Sequence, residues 1–202
     1  PQWVLFKSSS AASDWRMLDN MRGWVNNSTG NQTGLLANSS AAETTYGWTD
    51  TLSPTGFTIW GSASEQFIYI AIRRGPMKTP TSGTSVFAPV TRTAPSTTIT
   101  SNTNPDLVIA AARNTSVNQK AWLDKLRGFI GYIDSTQSGT EYSGATATLT
   151  GWSNTGVVYN ASAGGPANDS GVNYVDYYFT RAPGFFDEVC YTGNGVVRTI
   201  NH

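Results

Sequence analysis

The chain has 202 residues with 13 basic and 13 acidic side chains, only 13% of it charged, about half the roughly 25% of an ordinary globular domain. With a pI near 7.1 and Arg73-Arg74 its only adjacent cations, it lacks the basic stripe that phosphate contacts require, so nucleic acid is not expected as a partner. Close to a third of the residues are Ser, Thr or Asn and 12% are aromatic, which makes a surface polar through hydroxyls and amides over a core large enough to fold.

Taken in chain order, the first element is the apolar run Val4-Leu5-Phe6. It follows Pro1-Gln2-Trp3 with no Met and no signal-peptide pattern, so the chain reads as part of a longer or processed one. Asp14 to Met21 could form two helical turns or a strand, and Phe67 to Ile72 is an apolar run of strand length. Thr91 to Asn104 is rich in Thr, Ser and Pro and reads as a linker. Val108 to Ala112 is again a strand, Gln119 to Leu126 repeats the helix-or-strand ambiguity, and Asn160 to Gly171 reads as a surface loop. Tyr174 to Phe179 is the last clear strand, and Gly193-Asn194-Gly195 offers the positive-φ positions of a hairpin turn. No stretch approaches the roughly 20 apolar residues of a membrane span, so membrane insertion is not expected.

Laid over each other, the two halves match in four blocks. Pro1 to Leu5 matches Pro105 to Ile109, and Leu18-Asp19-Asn20-Met21-Arg22-Gly23-Trp24 matches Leu123-Asp124-Lys125-Leu126-Arg127-Gly128-Phe129. Ser53 to Ile59 matches the segment from Ser153 to Val158, and Phe67 to Pro76 matches Tyr174 to Pro183. The same order at nearly constant offset predicts two copies of one unit. The expectation is an all-β chain of two related antiparallel β-sandwich or jelly-roll-like units, 1–90 and 105–202, joined by 91–104.

Candidates for chemistry are few. The only His is His202 and the only Cys is Cys190, which argues against histidine-based triads and His-ligated zinc and makes Cys190 a small core residue. No cofactor or metal is expected. Glycoside hydrolysis needs two facing carboxylates; Asp50, Glu65, Glu141, Asp176, Asp187 and Glu188 are available, but no motif selects a pair. The repeated Asp19 with Arg22 and Asp124 with Arg127 could orient a ligand; as ion pairs they would pin a turn, with Gly23 and Gly128 relieving the backbone after it. Trp48, Trp60, Trp152 and Tyr159 stand near turns, where aromatic faces could stack on sugars or, as core residues, fill the interior. Asn-x-Ser/Thr sequons, Asn168 among them, arise readily in this composition.

The stretch Arg181-Ala182-Pro183-Gly184-Phe185-Phe186-Asp187, with Tyr191-Thr192-Gly193-Asn194-Gly195 and Arg198-Thr199-Ile200-Asn201-His202 after it, resembles the RAPGFFD, YTGNG and RTI-H signature of repeat domains in tail-fibre and appendage proteins of tailed bacteriophages. The opening, with its Ser8-Ser9-Ser10-Ala11 and Asp14-Trp15, is similar to the start of the same repeats. After Arg73-Arg74-Gly75-Pro76 the first half runs Met77-Lys78-Thr79-Pro80, without either motif, and so departs from the pattern. The resemblance implies a non-catalytic virion or extracellular module that associates with copies of itself or with adjacent repeats and contacts host-surface glycan. A lectin-like carbohydrate-binding module is the alternative, and a polysaccharide depolymerase the third.

Overall fold

The computed structural model of the protein describes residues 1–25, 32–47, 49–53, 56–73, 77–115, 120–142, 148–161 and 167–200. Its regular structure is β apart from two short 3-10 turns, Asn20–Arg22 and Gly83–Ser85. The strands are β1 Trp3–Ser8, β2 Arg16–Asp19, β3 Gln32–Leu36, β4 Thr44–Tyr46, β5 Thr51–Leu52, β6 Phe57–Thr58, β7 Phe67–Ile72, β8 Phe87–Thr93, β9 Thr98–Thr100, β10 Leu107–Ala112, β11 Lys120–Asp124, β12 Ile133–Asp134, β13 Leu149–Trp152, β14 Gly156–Tyr159 and β15 Asn173–Phe179. They form a sheet β4-β3-β2-β1-β7, a second sheet β12-β11-β10-β15-β8, a three-stranded sheet β13-β14-β9 and the pair β5-β6, with antiparallel pairing throughout.

The pairings follow the sequence blocks residue by residue. On β1, Val4 stands opposite Leu18 of β2 and Ala71 of β7. On β10, Val108 stands opposite Leu123 of β11 and Tyr178 of β15. Each of these positions is a match between the two halves. The third block behaves the same way: Leu52 pairs with Phe57 and Trp152 with Val157, and in both turns the serine N–H, Ser53 or Ser153, donates to the carbonyl of Gly56 or Gly156 at 2.9 and 3.0 Å. Alternation of side chains across a strand sets which residues enter the core: Val4 and Phe6 of β1, and Tyr174, Asp176 and Tyr178 of β15. The smaller core holds Val4, Phe6, Leu18 and Trp24. The larger gathers around Val108, Leu123, Leu149, Val157 and Tyr178, and takes in Val25 from the first half.

Several expectations need correction. The stretch 91–104 is not a linker. Thr91 to Thr93 complete β8, which pairs along the whole of β15, and β9 pairs with β14, so the strands from residue 87 onward pair with strands of the second half. The ambiguous segments resolve mainly as strands β2 and β11, since each pairs with an apolar neighbour at period two, with Asn20 and Met21 of the first in the 3-10 turn. In the expected surface loop 160–171, Ala167 and Asn168 are buried. The segment after β15 turns at Gly195, whose φ is 77°, yet Tyr191 to Ile200 form no strand.

Candidate functional site

Asp19 and Asp124 close β2 and β11 and do the same local work. Asp19 accepts the N–H groups of Met21 and Arg22 at 3.0 and 2.9 Å and its other oxygen meets the Arg22 guanidinium. Asp124, fully buried, accepts the Arg127 N–H at 2.9 Å and also pairs with its guanidinium. Gly23 and Gly128 follow at φ 90° and 84°, a left-handed conformation that a side chain would strain. Both oxygens of each carboxylate are thus engaged inside the turn.

The four aromatic candidates separate. Trp152 and Tyr159, 3% and 1% exposed, lie in the core and offer no face to a sugar, because β13 and β14 turn them toward the larger cluster. Trp60 is 53% exposed and sits at a shallow recess with Phe6, Arg16, Glu65 and Phe67. Trp48 lies outside the described residues. Cys190 is exposed rather than core, because Tyr191 to Thr199 after it are exposed too and bring no packing. The Asn168 sequon is no glycan acceptor here, since its buried amide donates to the carbonyls of Ser96 and Asn160.

Most of the available carboxylates are engaged separately. Glu141 meets Arg127 at 3.3 Å and Asp187 meets Arg181 at 2.5 Å. Glu65 accepts the Ser62 N–H at 3.0 Å. Asp50 is buried, accepts the Trp60 N–H at 2.5 Å and has its carboxyl raised above the usual range by that burial. Among the described residues no three His, Cys, Asp or Glu gather as a metal site, and no helix is long and apolar enough to cross a membrane.

The densest polar constellation is one the sequence reading passed over. Arg92, buried on β8, donates from Nε to Asp176 at 2.7 Å and from a terminal nitrogen to the Asn168 side chain at 3.0 Å, and also reaches the Ala167 carbonyl. Its guanidinium lies over the rings of Tyr159 and Tyr174, at 4.0 and 4.5 Å from their centres. Tyr159 and Tyr178 donate their hydroxyls to the same Asp176 oxygen at 2.9 and 3.2 Å. Burial pushes the Asp176 carboxyl up while Arg92 and the donated hydrogen bonds pull it down, and burial pushes both phenols up. The signal available in the sequence was the alternation of Ala88, Val90 and Arg92 in a Val/Thr-rich run, which assignment to a linker concealed.

Among the described residues, no strand fills the same place in the first half. A groove of about 810 Å³ is lined by Gly56, Phe57, Ile59, Phe67, Tyr69 and Ala71 among others. By pairing and sequence these stand where Gly156, Val157, Tyr159, Tyr174, Asp176 and Tyr178 stand in the second half. There, β8 lies along β15 and β9 along β14; here, among the described residues, no strand lies along the outer edge of β7. The glycines register the difference. A Cβ on Gly156 would fall 1.9 Å from the Ile99 carbonyl oxygen of β9, whereas one on Gly56 would meet only the Ser53 hydroxyl at 3.9 Å. Comparison with protein-family models, curated proteins and solved structures finds no match to this chain.

Proposed function

We propose that the chain is a non-catalytic structural module of a phage tail fibre or a similar virion or extracellular filament. In this reading it is built as two related antiparallel sandwich or jelly-roll-like units in tandem and associates with copies of itself or adjacent repeats. The observation that supports it most is the open edge of β7, with its apolar groove, at the very position that a strand fills in the second half. An unpaired strand edge beside exposed Ile68, Tyr69, Ile70 and Ile72 is a template for another chain. The RAPGFFD and YTGNG resemblance at 181–195 supports the filament context. Size-exclusion chromatography with light scattering, combined with a panel of polysaccharide substrates, tests it. Concentration-dependent association without cleavage is expected, and a stable monomer that depolymerises a glycan would sink it.

A lectin-like reading has one favourable observation, the exposed ring of Trp60 beside Arg16 and Glu65, an aromatic face with charged neighbours of the kind that holds sugars. On that reading Trp60→Ala abolishes retention on a glycan array while leaving the far-ultraviolet circular dichroism spectrum unchanged.

A further inference from the structure

We infer that the open edge of β7 is completed by the segment Gly195–Ile200 of a second copy of this chain, laid antiparallel along it as β8 is laid along β15. The inference rests on the reading of the chain as an assembling module and names the contact that does the assembling.

The first observation is the match between donor segments. Val196-Val197-Arg198-Thr199 matches Val90-Thr91-Arg92-Thr93 of β8 at three of four positions, and stands at nearly the same distance in sequence after β15 as β8 stands after β7. A sequence that serves β15 as a strand in one half therefore recurs after the other half, where among the described residues no strand pairs with it. Val196 is 68% exposed and Val197 fully so, while Arg198 rests over the Tyr191 ring at 5.1 Å. Two adjacent exposed valines in a segment without strand partners are as unsatisfied as the edge they resemble a fit for.

The second is geometric. On β15, Asp176 pairs with Val90, Val175 with Thr91 and Tyr174 with Arg92. Carried to the first half, the same register sets Val196 opposite Tyr69, Val197 opposite Ile68 and Arg198 opposite Phe67. Period-two alternation then turns Val196 and Arg198 into the groove and leaves Val197 outside beside Ile68. Val196 would take the place of Val90, which packs on the larger core. Arg198 would lay its guanidinium over Phe67 as Arg92 lies over Tyr174, with the Tyr69 phenol where Asp176 stands. Aromatic groups can hold a cation there without a carboxylate.

The third observation selects a second copy rather than the chain's own end. Residues 181–188 are fastened beside the second sheet: Ala182 and Phe186 pair, Phe179 packs against Phe185 and Phe186 at 6.4 and 5.5 Å, and Arg181 meets Asp187. With that anchorage the segment 195–200 forms no strand and is not paired with its own β7, which pairs only with β1 among the described strands. Each copy thus offers one donor and one acceptor at different places, a head-to-tail contact that propagates from molecule to molecule.

The test uses two forms of the full chain, both with Cys190→Ser, one carrying Ile68→Cys and the other Val197→Cys. Mixed in native buffer under mild oxidation they are expected to form a disulfide-linked heterodimer, because positions 68 and 197 face each other across the joint. Val196→Cys in place of Val197→Cys is expected to give none, since its side chain points to the other face. Equal yields from 196 and 197, or no linkage from either, would overturn the inference. So would a linkage formed only within one molecule when Ile68→Cys and Val197→Cys are placed on the same chain. As a second measurement, Val196→Asp keeps the fold, because Val196 is exposed in the single chain, but weakens association by on the order of tenfold to a hundredfold, the equivalent of one buried valine. Undiminished association of Val196→Asp would overturn this contact and leave the assembly reading standing; a wild-type chain that stays monomeric at every concentration would overturn both.

Discussion

β7 and β15 hold the same place in their sheets, beside β1 and β10 at the same register, and they differ in what lies on their other side. β15 has β8 along its second edge and alternates half-buried and buried residues from end to end. β7 is the more uniformly apolar of the two, Phe-Ile-Tyr-Ile-Ala-Ile, and is exposed at every position after Phe67. Burial here is set by the neighbouring strand and not by the hydrophobicity of the strand itself. The charged residue sits in the covered strand: Asp176 is tolerated on β15 because Arg92 and two phenols converge on it, whereas its counterpart Tyr69 faces the groove.

The largest test of that contrast is to break the covered side. Asp176→Ala leaves the Arg92 charge buried without its carboxylate and is expected to cost about 3–5 kcal/mol in urea unfolding, with Arg92→Ala similar. Replacing both by Leu should cost much less, since no unpaired charge remains. Tyr69→Ala, at 61% exposure, should cost less than about 1 kcal/mol in the single chain. A Tyr69→Ala loss equal to that of Asp176→Ala would mean that β7 is covered after all.

The glycines sharpen the comparison at single-atom scale. Gly156→Ala would drive a methyl into the β9 backbone and should cost about 3 kcal/mol, the upper end of ordinary overpacking. Gly56→Ala, whose added methyl would make only an ordinary contact with the Ser53 hydroxyl, should stay within about 0.5 kcal/mol. Both are read from denaturant midpoints, and equal costs would show that the two turns are equally enclosed.

The carboxylate turns are where the halves should agree, with a difference in degree. Asp124→Ala removes a fully buried cap and ion pair, Asp19→Ala a slightly exposed one. Losses of about 2 and 1 kcal/mol are expected, in the range of lost N-caps, measured as shifts in Tm. Binding that falls while Tm holds would assign these residues to a ligand instead.

How much of this was legible in the sequence depended on whether a feature was local. The turn at Leu18 to Trp24 and its copy at Leu123 to Phe129 could be read because an aspartate cap, an arginine and a positive-φ glycine lie within a few residues of one another. The correspondence of β1 with β10 followed from the same blocks, while their registers came only with the pairing. The Arg92–Asp176 pair joins residues far apart in the chain and depends on a strand pairing that composition does not announce, so a Thr- and Ser-rich stretch read as a linker. Trp152 and Tyr159 were ambiguous for a related reason: an aromatic next to a turn is core or platform according to which strand covers it, and β9 was hidden in that stretch. The groove could not be foreseen at all, since it is the lack of a neighbour.

The smallest expected effect concerns the stretch from Gly184 to Glu188, which has no counterpart after Pro76 in the first half. Glu188 is half-buried, its Oε2 is shielded from solvent with no hydrogen-bond partner, and burial pushes its carboxyl up to about 7, against the pull of Arg127 and Arg181. Below the ordinary value of 4.5 the group is protonated in both folded and unfolded chains and has no effect on the balance. Between 4.5 and about 7 the folded chain holds a proton that the unfolded chain has released, so rising pH favours unfolding. Above that window both states are ionised and the cost of the buried charge is constant. Glu188→Gln, uncharged at every pH, should therefore match the wild type at low pH and gain on it steadily through the window, a difference read by comparing urea midpoints at each pH. The first half has Met77-Lys78-Thr79-Pro80 after Pro76 and no such carboxylate, so Lys78→Gln should leave the pH profile where it was. A Glu188→Gln curve parallel to the wild type would place Glu188 in water, and with it the 181–188 anchorage from which Gly195–Ile200 departs.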